Sequence, residues 1–137
     1  MKNQNDVGNV VIEFIGVVVA LIIPITIISN LSILVSRSFI ATESASRAAS
    51  RAFVVSDTEA KARMRAQATA KVALQDQGVF DKSVSIKISC TKSPCLSPNS
   101  YVTVSVQRQV LLALPAPFGS RKIIVKASST SVVDELG

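Results

Sequence analysis

The sequence predicts an α+β protein. A long apolar amino-terminal helix precedes a second, amphipathic helix packed on a small three-stranded antiparallel sheet. Three observations carry this. Val10 to Ile28 is nearly unbroken hydrocarbon, with Glu13 as its one charge. Beyond Val35, apolar and small residues recur at spacings of three and four, the period of a helix. At Val84 the period changes to two, the period of a strand. The 137 residues leave room for one small domain beside a long helix. The expected plan is a short segment 1–8, a long helix 9–55 with its membrane span at about 10–35, and a small α+β domain 56–137.

The first element is long enough to cross a bilayer, which takes about 20 apolar residues in a helix. A cleaved signal peptide would need a positive start, a shorter apolar core and a small-x-small cleavage site. Here Lys2 is offset by Asp6 and the run is too long, so the reading is a retained membrane helix. Pro24 removes a backbone hydrogen bond and predicts a kink. Gly16 leaves a notch suited to close helix approach. A charge in hydrocarbon costs roughly 2.5–3.5 kcal/mol on insertion scales, so Glu13 is a functional residue by default and needs a partner.

Past Val35 the helix turns amphipathic. Ala41, Ala45, Ala48, Ala49 and Ala52 line one face with methyl groups, and Phe39 and Phe53 add bulk. Ser38, Ser44, Arg47 and Arg51 fall mostly elsewhere. A small-residue stripe lets elements approach closely, either neighbouring copies or the chain's own domain. Ser56-Asp57-Thr58-Glu59 reads as a capping box with Ser56 at the N-cap. It opens a second helix from about Asp57 to Gln77, with Gly78 as its stop. Ala60, Met64, Ala68 and Val72 lie four apart and are expected to cover the sheet. Lys61, Arg63, Arg65 and Lys71 occupy the other faces, either as a solvated basic surface or as a contact for an anionic polymer such as DNA.

Three strands follow. Val84, Ile86, Ile88 and Cys90 alternate with polar residues, as do Val102, Val104 and Val106; Ile123, Val125 and Ala127 alternate with Ile124, Lys126 and Ser128. That pattern suits an antiparallel sheet with one buried face. Cys90 and Cys95 bracket the first connection, with Pro94 and Pro98 marking a loop. The pair reads as a small-loop disulfide in preference to two inert thiols, which would place this region in an oxidising compartment. Leu111 to Phe118 is an apolar connection between strands two and three. It either folds back over the sheet or stands exposed as a partner or membrane contact.

Composition narrows the function. Fifteen basic against nine acidic residues give a net charge of +6, which favours anionic surfaces. Histidine is absent, so the usual general base and the commonest metal ligand are missing. Two cysteines do not make a four-ligand zinc site. No metal site, cofactor or catalytic residue is expected, and an enzyme is the least favoured class.

Taken together, Gly8, Glu13 and Phe14, the long apolar helix with its early proline, the alanine-rich extension and a small sheet ending in Lys122-Ile123-Ile124-Val125-Lys126-Ala127-Ser128 resemble the TadE/TadF-like minor pilins, or pseudopilins, of Flp-type (type IVb) pili. The resemblance covers most of the chain. It implies that residues 1–8 are a prepilin leader, cut between Gly8 and Asn9 by a prepilin peptidase. It implies that the helix waits in the cell membrane with the carboxyl domain extracytoplasmic, and then joins a cell-surface pilus. Glu13 would pair with the amino terminus of an adjacent subunit and set its register. The implied partners are the peptidase, other pilin subunits and the pilus assembly platform, and the implied role is to start or cap a filament used in adhesion or related surface functions. Asn9 departs from the Phe or Met that classical type IVa pilins place first. Read by charge alone, Arg37, Arg47 and Arg51 would put the carboxyl end in the cytoplasm. The cysteine pair and the resemblance place it outside, and that orientation is the one adopted. The competing reading is a single-pass anchored domain that binds a ligand outside the cell, through the basic second helix if the ligand is DNA or another anionic polymer.

Overall fold

The structure, a computed structural model, describes residues 5–80, 83–117 and 119–134, with side chains from Val10 onward. It contains two helices, α1 (Asn5–Val54) and α2 (Glu59–Asp76), and three strands, β1 (Ser85–Cys90), β2 (Tyr101–Ala113) and β3 (Ser120–Val132). The chain divides into two compact units, Met1–Leu34 and Val35–Gly137.

In the first unit the described backbone is helical throughout, and the helix assignment passes through Pro24. Thr26 donates from Oγ1 to the Ile23 carbonyl at 2.8 Å, a local bond typical of hydroxyl residues in helices. Val10, Ile12, Phe14, Leu21, Ile25 and Ile28 are all exposed, on every side of the helix. A helix apolar all round is stable only when lipid or other helices surround it. By length and composition this helix can cross a membrane.

The second unit is built on a meander with strand order β1-β2-β3, antiparallel throughout. Ile86 lies opposite Val106 and Ile88 opposite Val104; Val106 also lies opposite Ala127. Val102, Val104, Val106, Val110, Val125 and Ala127 are buried on one face, as the alternation predicts. The other face carries serine, threonine, glutamine and lysine. There Thr103 and Thr130 hydroxyls meet at 2.8 Å, and Ser105 and Ser128 at 3.1 Å.

Two alanine-rich rows complete the core. The carboxyl half of α1 contributes Ala41, Ala45, Ala49 and Phe53, and α2 contributes Ala62, Ala66, Ala70 and Leu74. These are the rows a close-packed seam requires, since a methyl group sets the smallest helix-to-sheet spacing an L-residue with a side chain allows. Beside the α1 alanines runs a buried hydroxyl row, Ser38, Thr42, Ser46 and Ser50. Its burial is affordable because the hydroxyls bond at once to nearby carbonyls: Thr42 to Ser38 at 2.7 Å, Ser46 to Glu43 at 2.8 Å, Ser50 to Arg47 at 3.0 Å. Ser131 donates to the Ser50 hydroxyl at 2.9 Å, tying β3 to α1.

Four expectations need correction. The predicted α2 face is the wrong one: Ala60, Met64, Ala68 and Val72 face solvent, with Met64 72% exposed. Rows 60-64-68-72 and 62-66-70-74 share the same four-residue spacing. The bulkier side chains of the first row mislead: the row turned to the core is the one lined by alanine and closed by Leu74. Ser38, expected away from the packed face, is buried beside it. The capping box does not form. Thr58 is the N-cap, without a side-chain cap bond, and Ser56 donates from Oγ to the Ala52 carbonyl at 2.9 Å, closing α1 instead of opening α2. Finally, Leu111–Ala113 are strand, so the connection between β2 and β3 shortens to a hairpin loop closed by Leu114 N–H to Gly119 O at 2.8 Å. Phe118 lies outside the described residues.

The α2 stop is as the sequence predicts. Gly78 adopts φ +75°, and its N–H reaches Gln75 O at 2.8 Å while Val79 N–H reaches Leu74 O at 2.9 Å. This is a Schellman cap, with Val79 packed on the core beside Leu74.

Candidate functional site

The amino-terminal candidates sit on α1. Gly8 and Asn9 fall within its helical backbone, and their side chains lie outside the described residues. Glu13 follows Asn9 by four residues, one helical turn, and is exposed. Among the described residues no cation and no hydrogen-bond donor lies against its carboxylate. Phe14 beside it is 68% exposed. One turn on, a Cβ built on Gly16 would meet nothing within 4 Å, so the notch is open. The first unit thus presents a carboxylate, an aromatic ring and a notch within four residues, on a helix that buries none of them. In a water-poor setting a carboxylate requires a positive partner, and leaving it unpaired is costly.

The second set lies on α2, and the structure divides it. Lys61, Arg65 and Lys71 are exposed and share the outer face with Met64, Ala68 and Val72. Arg63 points elsewhere. Its guanidinium bonds Glu59 Oε1 at 2.7 Å and approaches Cys95 Sγ at 3.9 Å. The Arg63 hydrogen bond holds the Glu59 carboxyl below its ordinary range, helped by a bond from the Cys95 backbone. Arg63 therefore links the first turn of α2 to the Cys90–Cys95 loop, while its side chain stays partly exposed. Those two cysteines are bonded, with Cα atoms 5.4 Å apart. Thr91 N–H to Tyr101 O at 3.0 Å, and Tyr101 N–H to Thr91 Oγ1 at 2.9 Å, close the loop onto β2.

A second positive set of residues went unrecognised in the sequence. Between Ser83 and Val133 the basic residues are Lys87, Lys92, Arg108, Arg121, Lys122 and Lys126, and no carboxylate occurs. The signal was available as a run without Asp or Glu from Asp81 to Asp134; only the strand pairing gathers four of the six at one end of the sheet.

Comparison with known proteins returns no matching family model, no matching curated protein and no matching solved structure.

Proposed function

We propose that the chain is a minor pilin, or pseudopilin, of the TadE/TadF-like kind, processed after Gly8 and assembled through its apolar helix to start or cap a Flp-type pilus. The observation that carries this reading is Glu13: a carboxylate without a partner among the described residues, one turn after Asn9, on a helix exposed and apolar on every side. Cleavage after Gly8 would create an ammonium at Asn9. In a filament, that ammonium on one subunit answers Glu13 on the next. An exposed pair of this kind is worth little, whereas in a water-poor helix bundle the unpaired state is penalised, so the pair selects register more than it adds stability. The Cys90–Cys95 bond supports an extracytoplasmic second unit, since such bonds persist in oxidising compartments. The partners proposed are the prepilin peptidase, other pilin subunits and the assembly platform.

The test is the amino-terminal sequence and intact mass of the protein from its native cells. The expected start is Asn9, lost when Gly8 is replaced; Glu13→Ala should leave processing intact and remove the protein from sheared filaments. Retention of residues 1–8 with indifference to Glu13→Ala would overturn the proposal. That result would favour an anchored binding domain, whose supporting observation is the outer α2 face of Lys61, Arg65 and Lys71. Salt-sensitive DNA binding would then be the measurement to make.

A further inference from the structure

We infer that the free end of the β2–β3 hairpin is a membrane-surface contact for anionic phospholipid headgroups. β1 begins at Ser85, opposite Gln107. Beyond that point β2 pairs with β3 alone, so Arg108–Ala113 and Ser120–Val125 form a two-stranded arm.

Three properties of the arm point to lipid. Its apolar residues lie on both faces: Leu111 and Ile124 on the outer face are 56% and 63% exposed, and Leu112, Leu114, Pro115 and Pro117 continue to the tip. Val110 and Val125 on the inner face are buried, so what the arm offers to the boundary of headgroups and acyl chains is its outer face and its tip. Its charges are of one sign, Arg108, Arg121 and Lys122 without a carboxylate, with Lys126 following on β3 at the base of the arm, and Arg108 Nε is buried with no hydrogen-bond acceptor among the described residues. Basic residues flanking an apolar tip match the phosphate layer above a hydrocarbon interior.

The third property is position within the Val35–Gly137 unit. Ile123–Lys126 line an open apolar groove of about 650 Å³ with Val35, Ser36, Phe39 and Ile40, while Ser131 and Ser129 reach Ser50. β3 therefore runs alongside α1 in the same direction, and the tip lies at the Val35 end of the unit. Val35 is the first residue of this unit and follows the apolar run directly in the chain. The inference rests on the membrane-helix part of the proposed function and is independent of processing at Gly8.

The chain has no tryptophan, so one introduced tryptophan reports by itself. Full-length Leu114→Trp protein is reconstituted in vesicles of phosphatidylcholine with or without phosphatidylglycerol, some carrying brominated acyl chains. The expected result is blue-shifted emission quenched by the brominated lipid in the phosphatidylglycerol vesicles. Arg121→Ser with Lys122→Ser should lower the inserted-to-free ratio about 25-fold, roughly fivefold per basic residue. Tyr101→Trp, at the opposite end of β2, should remain unquenched. Equal quenching in neutral vesicles, no quenching, or a blue shift that follows protein density instead of lipid charge would each overturn the inference, the last in favour of a second copy. A chain that fails to enter vesicles would overturn the membrane helix as well. Retained residues 1–8 would overturn pilin processing and leave this result standing.

Discussion

Placing the same leucine at two alanines of α2 tests which face of that helix is packed. Ala66 is 0% exposed in the row Ala62-Ala66-Ala70-Leu74; Ala68, two residues on, faces solvent. Leucine adds three carbons. At Ala66 they enter a space already filled by the α1 and sheet side chains of the same core cluster, and overpacking of this kind costs about 1–3 kcal/mol. At Ala68 they meet water on a helix surface, where leucine and alanine have similar propensity and the change stays within about 0.5 kcal/mol. For a unit of 103 residues (137 − 34), each kcal/mol moves the melting midpoint by about 4–8 °C. Ala66→Leu should therefore lower the midpoint by roughly 4–24 °C, and Ala68→Leu by no more than roughly 4 °C. The assay is thermal unfolding of the full chain in detergent micelles, followed by circular dichroism with amide exchange of α2 as a local readout. Equal losses at both sites, or a larger loss at Ala68, would return the Ala60-Met64-Ala68-Val72 row to the core and refute the seam.

Gly78→Ala should cost about 1–2 kcal/mol, since φ +75° disfavours a Cβ although nothing crowds it; Gly78→Asn should cost less, and denaturant melts of both variants check the order. Acid should weaken the α2 anchor in a defined direction. The folded Glu59 carboxyl lies below its ordinary value of 4.5, so its contribution is complete above that value and is lost as pH falls through the folded one. Glu59→Gln should flatten that acid limb, and identical acid titrations of stability in wild type and variant would count against the Arg63 bond. Replacing both Cys90 and Cys95 by alanine should cost about 2 kcal/mol from loop entropy alone at a separation of five residues. A reducing agent should reproduce the loss in wild type and do nothing to the variant.

By itself the amino-acid sequence determined the features that depend on spacing along the chain. The membrane-length run, the switch from a three-to-four period to a period of two, the Gly78 stop and the inward alternation of all three strands are local patterns, and the structure carries each of them. The same holds for the placement of Glu13, whose cost in hydrocarbon follows from its neighbours alone. What only the tertiary structure decided were choices between locally equivalent options. Two α2 rows with identical spacing differ only in what lies opposite them, and the packed seam takes the one lined by alanine. Arg63 was indistinguishable from Lys61 and Arg65 until Glu59 and the Cys90–Cys95 loop claimed it. Ser38 of the α1 hydroxyl row looked solvent-facing because serine is polar, yet the row is buried, and carbonyls three and four residues back satisfy Thr42, Ser46 and Ser50 there. Arg108 is far along the chain from Arg121, Lys122 and Lys126 and joins them at one end of the sheet only because β2 and β3 pair. Period and composition are written in one dimension, whereas burial and charge clustering depend on which elements meet.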